Sequence, residues 1–123
     1  MQRDDKVYVQ HIIDAVDTIE EYVRGLDEQS FFKNRLVQDA VIRQFEIIGE
    51  AVKQLSSNLR NRHKDVPWQQ MAGMRDTLIH EYFGVNVDQV WMTVTEDIPR
   101  LKNNLPQVLN SLWPSACVLT SRY

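Results

Sequence analysis

Arg75-Asp76-Thr77-Leu78-Ile79-His80-Glu81-Tyr82 puts a guanidinium, an imidazole and a phenol into one short stretch of chain. Histidine titrates near neutral pH and exchanges protons, whereas a guanidinium stays charged and offers a two-pronged fork to phosphate oxygens. Such a pair can exchange a proton and hold an anionic oxygen on which charge builds. At 100° per residue, Arg75 and Tyr82 fall about 20° apart on a helix, while His80 lies about 140° from Arg75 and nearer Asp76. One ideal helix does not converge all three. Convergence needs either a loosening near Gly84 or a second copy facing the first, so a functional reading predicts a symmetric dimer with a composite pocket. Spacing alone does not separate this from the ordinary case, in which a helical histidine is packed or solvated and Tyr82 is an amphipathic residue at the core edge.

The elements that must position this stretch are helical. Tyr8, Ile12, Val16, Ile19, Val23 and Leu26 recur every three or four residues, which predicts a first helix from Asp4 to Gly25. Gly25 suits the left-handed position that ends a helix, and Ser30 is a candidate N-cap for the next. A longer second helix is predicted from about Phe31 to Leu55, apolar over a wide arc that includes Leu36, Val37, Val41, Phe45, Ile48 and Val52. Asp39, Arg43, Glu46, Glu50 and Lys53 form a charged stripe along it, either a solvated salt-bridged face or, for Arg43, Glu46 and Glu50, a polar pocket wall. Gly49 inside this helix costs about 1 kcal/mol against Ala, which points to close approach of another backbone.

Ser56 to Val66 reads as polar and irregular, and Pro67 opens a third helix that carries the Arg75 to Tyr82 stretch. Trp68, Met71, Met74 and Trp91 read as core rather than as a base-stacking platform. Asn86 with Gln89 resembles a capping box for a fourth helix, striped with Trp91, Val94, Ile98, Leu101 and Leu105 and kinked at Pro99. A last turn or two from Pro106 to Leu112 extends the bundle. Nothing alternates with a period of two, so the expected fold is an all-α antiparallel bundle of four or five helices.

A chain of 123 residues, 43% hydrophobic and 25% charged, is sized for one domain. Residues 1–112 are expected to form it, with 113–123 an irregular tail. No segment approaches a membrane span and the start has no apolar leader, so a cytoplasmic protein without membrane contact is expected. The single cysteine, Cys117, has no partners at metal-ligand spacing, and neither a metal nor another cofactor is expected. The net charge of -3 argues against a broad basic surface for nucleic acid, so contacts with RNA would be local. Arg60, Arg62, His63 and Lys64 are the one local excess of positive charge, ordinarily a solvated loop.

The stretch from Pro67 to Gly84 closely resembles the R-x4-H-x-Y region of the HepT-like HEPN family, and Arg43-Gln44-Phe45-Glu46-Ile47-Ile48-Gly49-Glu50-Ala51 is similar to that family's second-helix motif. The two segments are independent, and the likeness in helix order and spacing extends from about Asp4 to Leu112. This resemblance implies a dimeric helical bundle acting as a metal-independent endoribonuclease, the toxin of a type II/VII-like toxin–antitoxin pair. It implies catalytic roles for Arg75, Asp76 and His80 on an RNA substrate. It further implies neutralisation by a cognate MNT-type minimal nucleotidyltransferase antitoxin, which attaches AMP to Tyr82.

Two other readings use the same residues differently. The bundle could be a non-catalytic binding or regulatory subunit of a minimal nucleotidyltransferase, which the acidic charge balance favours. Alternatively it is a structural helical adaptor, for which Arg75→Ala and His80→Ala would leave every phenotype unchanged.

Overall fold

The structure, a computed structural model, describes residues 4–73 and 87–112, and all regular structure among them is helical. Helix α1 spans Asp5–Val23, opened by the Asp4 carboxylate, which accepts the Lys6 N–H at 3.0 Å. Of its predicted stripe, Ile12, Val16 and Ile19 are all but inaccessible and Tyr8 and Val23 are half-buried, and Val9, not in the stripe, is buried with them. Gly25 follows at φ 80°, the left-handed conformation that glycine adopts at least cost.

The expected second helix is two. Helix α2 spans Glu28–Lys33 and α3 spans Arg35–Gln54, with Asn34 both ending the first and capping the second, where its side chain accepts the Val37 N–H at 3.1 Å. Asp27, not Ser30, caps α2: its carboxylate accepts the Ser30 N–H at 2.8 Å. The break turns Leu36 out of the expected apolar arc, leaving it 80% exposed, while Val41, Phe45, Ile48 and Val52 fill the core. Burying side chains of this size stabilises by about 1.5–3 kcal/mol each. Gly49 is buried as well.

Ser56 to Val66 is not irregular throughout. Helix α4 spans Ser57–Arg62, with the Ser56 hydroxyl accepting the Leu59 N–H at 3.1 Å and Leu59 fully buried. Residues 68–73 are helical and form the described part of α5, directly after Pro67 as expected. Trp68 and Met71 are buried there, and the Trp68 indole donates to the His63 carbonyl at 2.9 Å. Helix α6 spans Val87–Met92; Asn86, the expected capping residue, lies outside the described residues.

The kink expected at Pro99 takes a specific form. Thr93–Asp97 is a π-helical turn in which the Ile98 N–H reaches back to the Thr93 carbonyl, and α7 spans Ile98–Ser111 with Pro99 in its first turn. Widening the turn just ahead of proline accommodates its missing donor. Pro106 starts no new element and lies inside α7.

Polar ties fix the directions of the long helices. The Asp5 carboxylate accepts the Ser56 N–H at 3.0 Å and its hydroxyl at 2.7 Å, so the end of α3 meets the start of α1 and the two run antiparallel. Lys102 of α7 pairs with Glu20 near the end of α1, and with Asp17 at 3.9 Å. At the other end, His63 bonds Ser111 at 3.0 Å. Helix α7 is therefore antiparallel to α1 too, and α1 is the common partner of α3 and α7. Phe31 of α2 packs on Trp91 of α6 with ring centroids 4.9 Å apart, closing one side of the core. The fold is the expected all-α bundle: among the described residues α1, α3 and the continuous run from α6 through α7 are long, and α2 and α4 are short. Among the described residues no helix is long and apolar enough to cross a membrane.

Candidate active site

Arg75, Asp76, His80 and Tyr82 lie outside the described residues, as does Met74. What the structure describes is the wall proposed for their pocket and the start of the helix that leads to them. Trp68 and Met71 anchor that start in the core, seven and four residues before Arg75 in sequence.

Arg43, Glu46 and Glu50 do line one cleft, of about 290 Å³, along the seam between α1 and α3. Their spacing of three and four residues puts them on one face of α3, and α1 supplies the opposite wall. Arg43 and Glu46 approach at 3.5 Å, with side chains 71% and 32% exposed. A pair so open to water holds the guanidinium only loosely, leaving its fork able to turn toward another oxyanion. Asp39, at the outer end of the same stripe, is exposed and lines no part of the cleft.

Ile47 and Ala51 of α3 also line the cleft, and three further residues with polar atoms complete the wall, none of which sequence reading assigned to it. Tyr8 and His11 come from α1, their rings edge to face at 6.0 Å and 88°. Gln54 comes from the last turn of α3, and its Oε1 is buried without a hydrogen-bond partner among the described residues. A buried acceptor left unmet favours a ligand that brings a donor. Tyr8 had a signal, the helical stripe, but that stripe reads as core. His11 had only its three-residue offset from Tyr8, and what gives it meaning is a neighbour on another helix.

Electrostatically the cleft sets one guanidinium against two carboxylates. It does not attract a polyanion by itself. It can orient a polar group, accept hydrogen bonds and hold an imidazole at the mouth. No cluster of three metal-ligating side chains occurs among the described residues.

Fold and cleft together define a small helical-bundle protein with a polar seam. The family described as Ribonuclease HepT-like matches residues 12–108. A Thermococcus cleftensis protein named "Probable ribonuclease HepT" is 44% identical over 108 residues, covering 88% of this chain and 98% of its own. A Caldanaerobacter subterraneus subsp. tengcongensis protein named "Putative RNase" is 43% identical over 102 residues, covering 83% and 91%. A Methanocaldococcus jannaschii protein, named as a gamma-glutamylcyclotransferase and putative RNase, is 43% identical over 112 residues; the match covers 91% of this chain and 50% of that longer protein. No solved structure matches the chain. The chain belongs to the HepT-like ribonuclease family.

Proposed function

We propose that this chain is a metal-independent endoribonuclease whose catalytic residues are Arg75, Asp76 and His80. The observation that carries the reading is the family match across residues 12–108, which spans both the Arg75 to Tyr82 stretch and the α3 segment holding Arg43, Glu46 and Glu50. That those three α3 residues share one cleft supports it.

In the proposed reaction His80 takes the proton of the ribose 2′-hydroxyl as that oxygen bonds to phosphorus. Arg75 neutralises the charge growing on the non-bridging oxygens, and Asp76 orients one of the two. The bond from phosphorus to the 5′ oxygen then breaks, and a protonated imidazole, from the same site or from the second copy in a homodimer, supplies that oxygen with a proton. The products are a 2′,3′-cyclic phosphate and a 5′-hydroxyl. In this proposal residues 1–112 constitute the domain and 113–123 an irregular tail.

The purified chain should cut single-stranded RNA in EDTA and spare DNA, which lacks the attacking hydroxyl. His80→Ala should lose on the order of 10²–10⁴-fold in rate. Full activity in that variant removes His80 from the mechanism, and loss in EDTA removes the metal-independent chemistry.

Regulation follows from Tyr82. A phenol of pKa about 10 is a poor nucleophile at neutral pH, so its modification needs a partner enzyme. In the proposed pairing an MNT-type nucleotidyltransferase antitoxin activates the phenol, whose oxygen attacks the α-phosphorus of ATP as pyrophosphate leaves. The attached AMP blocks the site by bulk and by its negative charge. Mass spectrometry after coexpression with such a partner should find an AMP-sized adduct on Tyr82; an unmodified Tyr82 defeats this step.

The net charge of -3 favours a second reading, a non-catalytic subunit that docks and regulates the nucleotidyltransferase. RNA cleavage in vitro together with growth arrest on expression separates the two.

A further inference from the structure

We infer that the groove between α4, the start of α5 and α7 grips the phosphate backbone of the RNA strand outside the cleavage site, an inference that rests on the ribonuclease reading above. The groove has a volume of about 630 Å³. Arg60 comes from α4, Lys64 from the turn after it and Arg100 from the first turn of α7, so a distant cation joins two that are close in sequence on one surface. Only Asp65 opposes them among the lining residues. Such a concentration is unusual in a chain whose net charge is -3.

Arg43 and Lys102 are held by carboxylates, but Arg60, Lys64 and Arg100 form no such pair among the described residues. The Nε of Arg60 is buried and lacks a hydrogen-bond acceptor among them. A buried donor without an acceptor is unfavourable, and no carboxylate among the described residues offsets the Arg60 charge.

The rest of the lining favours RNA over an acidic protein. Asn61, Gln69 and Gln70 bring amides that bond phosphate and sugar oxygens. Protein interfaces instead centre on exposed apolar or aromatic anchors, and here the large apolar lining residues, Val66 and Trp68, are buried to 3% and 5% exposure. The groove also reaches Ala72, three residues before Arg75. Three residues of chain span at most about 11 Å, so one strand can lie on the groove and reach Arg75.

The test uses the full chain carrying His80→Ala, which stops cleavage, and a fluorescein-labelled single-stranded RNA read by anisotropy across a salt series. Adding Lys64→Glu and Arg100→Glu, both at exposed positions, should weaken binding about tenfold and flatten the slope of log affinity against log salt by about 1.4, the share of two phosphate contacts. Lys64→Arg with Arg100→Lys should retain affinity and slope. If the reversed pair does not fold by circular dichroism, Lys64→Gln with Arg100→Gln replaces it, with the same change of slope expected. Unchanged affinity and slope overturn the groove while the ribonuclease stands, provided the chain with His80 intact cleaves RNA. A chain with His80 intact that cuts no RNA overturns the ribonuclease reading, and this inference with it. Retained RNA binding with lost binding to the nucleotidyltransferase partner assigns the surface to protein and overturns the inference.

Discussion

The α1–α3 cleft and the α4–α5–α7 groove are built from the same bundle yet carry opposite electrostatics. In the cleft Arg43 stands among Glu46 and Glu50; in the groove Arg60, Lys64 and Arg100 face Asp65. The cleft's acidic residues come from consecutive turns of one helix, so its composition is written in the sequence. Two of the groove's cations, Arg60 and Lys64, are close in sequence, and only folding brings Arg100 to them. A small acidic protein can thus separate the two tasks of a nuclease, placing mixed charge where groups must be oriented and unbalanced positive charge where a polyanion must be held.

The largest perturbation of this division should come from the core that both regions share. Phe45 is 1% exposed on the face of α3 that packs inside the bundle. Phe45→Ala should cost about 3–5 kcal/mol in chemical denaturation, since the cavity adds to the lost burial. Both regions should fail together. A variant that loses RNA binding but keeps its denaturation midpoint would show that the cleft and groove do not depend on a common core.

Trp68→Phe should have a smaller and more local effect. It keeps an aromatic ring at a site 5% exposed but removes the Nε1–H that donates to the His63 carbonyl at 2.9 Å. That carbonyl keeps the Val66 N–H at 3.2 Å, so losing the indole bond should cost about 0.5–1.5 kcal/mol. Hydrogen exchange should rise in α4 and the following turn, and the groove's affinity for RNA should fall before anything changes at Arg43 and Glu46. Uniform loss of protection across α1 and α3 would deny the groove its separate stability.

How much of this was legible in sequence depends on where the information lies. The α1 stripe, the left-handed Gly25, the opening at Pro67 and the common face of Arg43, Glu46 and Glu50 were readable because each is written in spacing or in a residue with one conformational habit. The break at Asn34 was not, because no glycine or proline marks it, and only Asn34's backbone, at φ -112° and ψ 89°, ends one helix and caps the next. Helix α4 was missed because it buries one apolar side chain, Leu59, and one residue makes no period. His11 and Gln54 were invisible as wall residues for the reason the groove was: their partners lie on other elements or far along the chain.

Asp27 offers a reference outside both regions. The Ser30 backbone N–H, and then the Ser30 hydroxyl, hold its carboxyl below the usual carboxylate range. A group whose pKa is lower folded than unfolded stabilises the fold above the ordinary carboxylate pKa, and that contribution fades as pH falls through the folded value. Acid should therefore loosen α2, and Asp27→Asn, which keeps a capping oxygen that does not titrate, should flatten this part of the acid limb of thermal stability. An acid limb identical in wild type and variant would remove the cap from the pH response.

The smallest change in stability, and the sharpest question about the cleft, belongs to Glu46→Gln. The Arg43–Glu46 pair is 3.5 Å apart and largely in water, so its loss should cost no more than about 0.5 kcal/mol. Its effect on function should be out of proportion to that. Removing one of two carboxylates leaves Arg43 facing Glu50 alone and makes the cleft less acidic, so RNA should bind more tightly while cleavage slows if the pair orients the reacting groups. KM and kcat should then fall together, a split that a solvated stripe has no means to produce. Unaltered kinetics with unaltered stability would return Arg43 and Glu46 to the solvent and leave the groove as the only surface of the two with a claim on RNA.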